Sequence, residues 1–277
     1  MNKVTLLLLA TLMVPLAGQA QQPTHPEKKV SDKMEFVAHR GFYKYDNAAE
    51  NSIAAMQHAV DHDFYGTEFD VQFTLDSRAI VFHDPSIKGM LIAKTPYEKL
   101  SGHLLSNGEK LPTLDQFLQA YKAAIDQQKS REKLTRLFFE IKPVNNREMV
   151  DYVVAVVLKA VNQYNLRDAV VFISFDLNVC MALVKTDRDL PVAYLEGNMP
   201  PKALHARGIR GIDYHYEQLL KNPQWISEAH RLGMTVNAWT VNDLEVAKRL
   251  KGLRVDLLTT DTPLDLQAWF EKEEDGE

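Results

Sequence analysis

The feature that most constrains the fold is a repeated alternation of short apolar runs with segments of helical periodicity. Nine runs rich in β-branched, aromatic or aliphatic residues lie at 35–38, 67–74, 79–83, 137–141, 169–174, 191–195, 211–214, 235–240 and 256–260. Most are separated by segments whose apolar residues recur every three or four positions, namely 51–62, 113–128, 147–164, 223–232 and 244–250. Such alternation favours a parallel sheet covered by helices.

Two of the nine runs are too close in the chain to be parallel neighbours. Only residues 75–78 separate 67–74 from 79–83, whereas a parallel crossover needs about a dozen residues. These runs are therefore predicted to form an antiparallel hairpin, which leaves eight strands for the sheet. No glycine-rich phosphate turn follows the first run, as a doubly wound sheet would require. We predict one α/β domain, residues 34–270, with a TIM-type (β/α)8 barrel and a hairpin near its second and third strands.

The hairpin also predicts a register. If four residues connect the strands, positions 74 and 79 face each other, and Asp70 lies opposite His83. Glu68, Asp70 and His83 then share one face of the sheet, and the apolar residues 69, 71, 80 and 82 share the other.

The N-terminal residues predict export. Lys3, the apolar run 4–16 and the small-residue ending Gly18-Gln19-Ala20 are typical of a cleaved signal peptide, and the run is shorter than the roughly 20 residues of a spanning helix. We expect a signal over 1–20, a flexible lead over 21–33 and an acidic tail over 271–277. The mature protein is then periplasmic or secreted, with no stable membrane anchor. The net charge of −5 becomes more negative when Lys3 is removed, so nucleic acid is not an expected partner.

Carboxylates stand at or near the ends of two predicted barrel strands, the place where β/α barrels carry their sites. Glu68 and Asp70 are two residues apart and point to the same side of one strand, and Glu140 ends another. Three converging carboxylates require a positive partner. Calcium or magnesium suits an all-oxygen ligand set better than zinc does. The alternative is that each acid forms a structural salt bridge with Arg40, Lys142 or another base.

His39 and His83 follow strand ends and suit an acid/base pair, because imidazole titrates near neutral pH. Arg40 offers a planar fork for two phosphate oxygens, and Lys142 offers a compact positive charge. Together these residues indicate an anionic substrate.

The ordered set of these motifs resembles the glycerophosphodiester phosphodiesterase family. It consists of His39-Arg40-Gly41, Glu50-Asn51, Glu68-x-Asp70-Val71, His83-Asp84, Glu140-x-Lys142, Ser174-Phe175, Trp239-Thr240-Val241-Asn242 and Thr260-Asp261-x-Pro263. The resemblance implies cleavage of small glycerophosphodiesters to glycerol 3-phosphate and an alcohol, with a divalent cation, Ca²⁺ or Mg²⁺, as cofactor.

Position by position, the resemblance implies a role for each residue of the site. Glu68, Asp70 and Glu140 become metal ligands, and His39 and His83 become the catalytic acid and base. The substrate-binding positions are Arg40, Glu50, Lys142 and Trp239. Residues 85–112 stand where the family often carries an insert, interpreted here either as a cap over the pocket or as a plain long connection.

Two rival functions remain open from the sequence. One is a phosphoinositide-cleaving phospholipase C-like barrel, which also uses two histidines, and the other is an inactive barrel that binds a headgroup or glycan. His58 and His62 are four apart on a predicted helix, a spacing that can hold zinc, but a solvated helix face explains them better. His215 follows a barrel strand, and the sequence leaves open whether it reaches the pocket.

Overall fold

The protein is described by a computed structural model that covers residues 33–128, 134–144 and 146–275. Its strands are β1 (Glu35–Ala38), β2 (Gly66–Phe73), β3 (Ala79–Val81), β4 (Ser86–Ile87), β5 (Met90–Leu91), β6 (Arg136–Ile141), β7 (Val170–Ser174), β8 (Val192–Tyr194), β9 (Gly211–His215), β10 (Thr235–Trp239) and β11 (Leu257–Thr260). All nine predicted strands are present, within one or two residues of their predicted ends.

Eight of these strands, β1, β2 and β6 to β11, are parallel neighbours in a single sheet. The sheet closes because β1 pairs with β11 on one side and with β2 on the other. The predicted (β/α)8 barrel is thus confirmed, with β3 attached to β2 as an antiparallel extra strand.

Helices connect most of the strands and surround the barrel. They are α1 (Ile53–Asp61), α2 (Tyr97–Leu100), α3 (Leu114–Gln127), α4 (Arg147–Gln163), α5 (Leu177–Thr186), α6 (Pro201–His205), α7 (Tyr216–Lys221), α8 (Gln224–Arg231), α9 (Leu244–Gly252) and α10 (Pro263–Asp275). Several begin where the sequence provides a cap, as at Thr113, which forms a capping box with Gln116. α10 continues to Asp275, so the predicted acidic tail begins inside this helix.

Alternate residues of each barrel strand face two different cores. The larger core lies between the strands and the helices, and the stack of Phe69 on Phe117 of α3, with ring centroids 4.5 Å apart, is typical of it. The smaller core fills the barrel, where Phe138 and Ile173 pack together. Gly66 is required beside this inner core, because a Cβ at that position would lie 2.5 Å from the Phe138 ring.

The hairpin is antiparallel as predicted, but its predicted register is wrong by one residue. Phe73 faces Ala79, and Val71 faces Val81. The connection has three residues, not four, because the Thr74 N–H already donates to Arg78 O at 3.0 Å. Ser77 adopts a left-handed backbone, with φ of 61°, which lets the shorter loop turn.

The new register moves Phe82 opposite Asp70, where the Phe82 N–H donates to Asp70 O at 3.0 Å. Ile80 therefore shares the face of Gln72, not that of Phe69 and Val71 as predicted. Continued alternation would turn His83 away from Asp70. The strand ends at Val81, however, and the chain bends from His83 onward.

The insert after His83 has its own small apolar core. Ile87, Ile92, Leu100 and Leu111 bury their side chains against Ile80 of β3. Among the described residues, the insert contributes none to the lining of the strand-end pocket. Of the two interpretations, this favours the plain connection, which packs against the hairpin.

The predicted signal and nearly all of the predicted lead lie outside the described residues. Within the described ranges, no helix is both long and apolar enough to cross a membrane.

Candidate active site

A pocket of about 120 Å³ opens at the carboxyl ends of the barrel strands. Seven of the predicted site residues line it: His39, Arg40, Glu68, His83, Glu140, Lys142 and Trp239. Asp70 lies buried behind this lining, and Glu50 lies outside it. The barrel thus brings together residues that are up to 200 positions apart in the chain.

The three predicted metal ligands form one cluster. Asp70 of β2 is the direct register partner of Glu140 of β6, and Glu68 is two residues earlier on β2. One carboxylate oxygen from each lies within 4.8 Å of the others. Among the described residues, this is the only cluster of acidic, histidine or cysteine side chains that could hold a metal ion.

Burial and mutual repulsion disfavour the charged forms of two carboxylates in this cluster. Desolvation, together with the charges of Asp70 and Glu140, raises the pKa of Glu68 well above its usual value. Desolvation and Asp70 likewise raise the pKa of Glu140 to about 8. Oε1 of Glu68 is buried and has no hydrogen-bond partner. An all-oxygen set with a free buried oxygen fits a hard divalent cation.

Lys142 supplies one positive charge to the cluster. Its Nζ lies 2.7 Å from Asp70 Oδ1 and 2.8 Å from Glu140 Oε1. Although burial alone would raise the pKa of Asp70, the Lys142 ammonium, His83 and Asn51 hold it below its usual value. The salt bridges that the sequence left as an alternative to metal binding are therefore present, but they leave Glu68 without a cationic side chain in hydrogen-bond contact.

Asn51 is a support for the cluster that the sequence did not reveal. Its Nδ2 donates to Asp70 Oδ2 at 2.8 Å, and its Oδ1 accepts from the Asp70 N–H at 2.9 Å. Ser52, the next residue, caps α1 by accepting from the Ala55 N–H, so the Asn51 side chain is left for Asp70. Asn51 takes a left-handed backbone, with φ of 61°, which aims its amide at Asp70.

The turn after β1 brings the backbone to Glu68. Arg40 and Gly41 both have positive φ, at 52° and 82°, and the Arg40 N–H donates to Glu68 Oε2 at 2.8 Å. Gly41 cannot be replaced without a shift, because a Cβ there would lie 2.6 Å from Ala55 Cβ. The His39-Arg40-Gly41 motif thus places the side chains of His39 and Arg40 and the N–H donor of Arg40 in one turn.

Glu50 positions Arg40 and does not line the pocket. Its Oε2 accepts from Arg40 Nη1 at 2.6 Å, and 44% of its side chain is exposed. Arg40 is itself mostly buried, and its Nε lies 3.8 Å from Asp70 Oδ2 without a hydrogen bond. Glu50 therefore acts on the pocket through the guanidinium it holds.

Each of the two histidines is held by a carboxylate through the same ring nitrogen. His39 Nδ1 lies 2.7 Å from Asp261 Oδ1, and His83 Nδ1 lies 2.8 Å from Asp84 Oδ1. Asp261 is fixed in turn by Asn242, whose Nδ2 donates to its Oδ2 at 2.7 Å. With a proton on each Nδ1, the Nε2 atoms are free to accept or donate at the pocket.

Comparison with known proteins agrees with this geometry. The profile of the "Glycerophosphoryl diester phosphodiesterase family" matches residues 39–265, from the first pocket histidine to α10. The chain belongs to this family.

Individual relatives of the phosphodiesterase family resemble the chain over most of its length. The glycerophosphodiester phosphodiesterase of Caldanaerobacter subterraneus is 26% identical, and the alignment covers 82% of this chain and 93% of that protein. Mouse glycerophosphocholine phosphodiesterase GPCPD1 is 25% identical over 83% of this chain, but the chain spans only 43% of the mouse protein.

Solved structures of the family share the barrel. A glycerophosphodiester phosphodiesterase from Parabacteroides distasonis is 34% identical, with a TM-score of 0.82, covering 87% of this chain and 98% of that one. A phosphodiesterase from Oleispira antarctica, solved with the product sn-glycerol-3-phosphate, has a TM-score of 0.72 at 22% identity, covering 86% and 96%.

Trp239 forms an aromatic wall of the strand-end pocket. Its ring meets Phe175 edge-on, with centroids 5.4 Å apart, and its Nε1 donates to Asp213 O at 2.9 Å. His215 packs edge-on against Trp239 at 5.2 Å, but it does not line the pocket. His215 therefore supports this wall and is not among the groups that face the pocket.

Asp213 is a pocket residue that sequence reasoning missed. It points into the barrel from β9, is 1% exposed and has an unpartnered Oδ1. Desolvation raises its pKa to about 7, partly offset by Asn237. The only signal in the sequence was its alternation along β9, which does not separate it from an ordinary apolar position.

His58 and His62 belong to an aromatic cluster on the outside of the family barrel. Tyr45 contacts both imidazoles edge-on, at 5.1 and 4.7 Å, and Phe42 contacts His62 at 5.3 Å. The two histidines therefore pack under the loop between Gly41 and Glu50, whereas a solvated helix face was expected. Among the residues that the structure describes, they belong to no group of three or more side chains that could hold a metal ion.

Proposed function

We propose that this protein hydrolyses glycerophosphodiesters to glycerol 3-phosphate and an alcohol with the help of one divalent cation, Ca²⁺ or Mg²⁺. The observation that carries the proposal is the convergence of three elements in one pocket. Two carboxylate-held histidines, a buried acidic cluster and the cations of Arg40 and Lys142 all meet there. The names of the family relatives support the same substrate class.

The cation site is assigned to Glu68, Asp70 and Glu140, whose donor chemistry fits a hard ion. When bound, such an ion supplies Lewis-acid stabilisation of charge on a phosphate oxygen. Asn51 and the Arg40 N–H keep two of the carboxylates oriented. Lys142 limits the repulsion between Asp70 and Glu140, because its ammonium contacts both carboxylates.

The substrate phosphate is assigned to the cationic side of the pocket. Arg40, held by Glu50, presents a planar guanidinium, which suits two phosphate oxygens. Phe175 and Trp239 offer an apolar wall for the carbon atoms attached to the phosphate.

Proton transfer is assigned to the free Nε2 atoms of His39 and His83. One imidazole takes the proton of the attacking hydroxyl, and the other gives a proton to the departing alkoxide. Asp261 and Asp84 accept from Nδ1 of the two rings, which keeps a proton on Nδ1 and leaves Nε2 for the transfer.

The test is product analysis by phosphorus NMR. Purified protein is incubated with glycerophosphocholine and Ca²⁺ or Mg²⁺, and in parallel with phosphatidylinositol. We expect glycerol 3-phosphate and choline from the first substrate. Inositol phosphate from the second substrate alone would favour the phospholipase C-like rival, and binding of glycerophosphocholine without turnover would favour an inactive barrel.

A further inference from the structure

The position of His83 is not explained by the strand that precedes it. β3 ends at Val81, and its register with β2 puts Phe82 opposite Asp70. Side chains alternate along an extended strand, so a straight continuation would point His83 toward the outer core. His83 nevertheless lines the pocket together with Glu68 and Lys142.

The side chain of Gln72 lies at the point where the chain departs from the strand. Its Nε2 is 2.9 Å from Phe82 O, 2.9 Å from His83 O and 2.6 Å from Asp84 O. The amide has two hydrogens, so the three carbonyls share them in a bifurcated arrangement. Gln72 is two residues after Asp70 on β2, which places it on the same face as the acidic cluster.

Phe82 packs against the small core of the insert, but burial does not hold the two residues after it in place. The side chain of His83 is 36% exposed and that of Asp84 is 68% exposed. The contact between His83 and Asp84 joins adjacent residues, so it orients the ring relative to its own segment but does not attach the segment to the barrel. From β2, Gln72 attaches the carbonyls of His83 and Asp84, which lie beyond the Phe82 N–H bond to Asp70 O.

We propose that Gln72 is a positioning residue for His83: by gathering the carbonyls of residues 82–84, it turns the imidazole into the pocket. This inference rests on the acid/base role proposed above for His83. Gln72 itself touches neither the acidic cluster nor the other histidine through any hydrogen bond of the described residues.

The kinetic test compares Gln72→Met, which keeps the length of the side chain without a donor, with Gln72→Lys, which keeps a donor. We expect Gln72→Met to lower kcat by about 10- to 100-fold with little change in KM, and Gln72→Lys to recover most of that loss. Gln267→Met on α10 is the matched control. Among the described residues the amide of Gln267 donates to exposed Glu271, far from the pocket lining, so its loss is expected to leave kcat unchanged.

A double-mutant cycle separates positioning from general structure. In a His83→Ala background, Gln72→Met is expected to change kcat by less than about twofold, because the group it positions is gone. If Gln72→Met costs as much in that background as in the wild type, Gln72 does not act through His83 and the proposal is overturned.

Imidazole NMR provides an outcome that does not depend on turnover. In Gln72→Met we expect the His83 ring resonances to broaden or shift toward solvent-averaged values and those of His39 to stay unchanged. Unchanged His83 resonances would overturn the proposal even if the protein hydrolysed no glycerophosphodiester. Altered His83 resonances in a protein without any phosphodiesterase activity would instead support the positioning role of Gln72 and refute the proposed function.

Discussion

Asp261→Asn gives a sharp test of the histidine pair, because it removes one charge and leaves the shape of the side chain. Asp261 is 15% exposed, and its Oδ1 lies 2.7 Å from His39 Nδ1. Its Oδ2 accepts from Asn242 Nδ2 at 2.7 Å. In the variant, the amide oxygen stays with Asn242 and the amide nitrogen faces His39. The ring must then accept at Nδ1 and carry its proton at Nε2, which is the wrong tautomer for a base at the pocket.

The size of the effect follows from the charge pair that is lost. At the effective dielectric constant of about 20 that suits partly buried sites, two opposite charges roughly 4 Å apart attract by about 4 kcal/mol. Some of this is lost to screening, because the pair is partly exposed, so we take about 2–4 kcal/mol. That corresponds to a decrease in kcat of about 30- to 1,000-fold. The lowered pKa of Asp261, to which His39 contributes after the opposing effect of burial, is consistent with such an attraction.

The assay is steady-state hydrolysis of glycerophosphocholine at saturating cation, with cation affinity measured by calorimetry. Asp265→Asn, an exposed change in the first turn of α10, is the matched control and is expected to leave kcat unchanged. A kcat for Asp261→Asn within about threefold of the wild type would contradict the assignment of His39 to proton transfer.

Three further predictions follow from the site. His39→Ala and His83→Ala are each expected to lower kcat by about a hundredfold or more while calorimetry shows cation affinity nearly unchanged, and a loss of cation binding would make that histidine a ligand. Asn51→Ala removes both hydrogen bonds to Asp70, so we expect cation affinity to fall by about 10- to 100-fold, and an unchanged affinity would refute this support role. Because burial raises the pKa of Asp213 to about 7, the folded protein keeps a proton that the unfolded chain releases near pH 4. Its contribution to stability is full below about pH 4 and is lost as the pH rises to about 7. Asp213→Asn is therefore expected to gain a few kcal/mol of unfolding free energy relative to the wild type between those pH values, measured by urea denaturation, whereas a constant difference would contradict the raised pKa.

Strand periodicity predicted the barrel because each strand separates two cores. Phe69 and Glu68 are adjacent in the chain, yet one packs under α3 and the other faces the pocket. Such alternation can be read from the sequence. A parallel barrel is the arrangement that covers both faces of eight such strands.

The hairpin register could not be predicted, since it depended on the backbone of a single loop residue. Ser77 takes a left-handed conformation, where glycine or asparagine would have been the recognisable signal. One residue of error in the loop moved Phe82 into the place predicted for His83. His83 nevertheless reaches the pocket, and we attribute this to Gln72, a residue with no chemical signature in the sequence, whose amide bonds to the carbonyls of the following segment.

The residues that hold the site in place could not be predicted from the sequence either, because their partners are distant in the chain. Asn51 and Asp261 act through contacts with residues 19 and 222 positions away, respectively. Both residues stand in motifs that the sequence displayed, but their partners are fixed only by closure of the barrel. Asp213 carries no motif and is revealed by its burial.

The central claim is that the buried acidic cluster holds a cation that hydrolysis requires. Its most direct test is to measure turnover of glycerophosphocholine together with cation occupancy, in the wild type and in Glu68→Gln, after exhaustive chelation and stepwise return of Ca²⁺ or Mg²⁺. We expect chelation to abolish turnover and activity to return in proportion to one bound ion per chain, with Glu68→Gln binding the ion more weakly. Undiminished turnover in the chelated wild type would contradict the account.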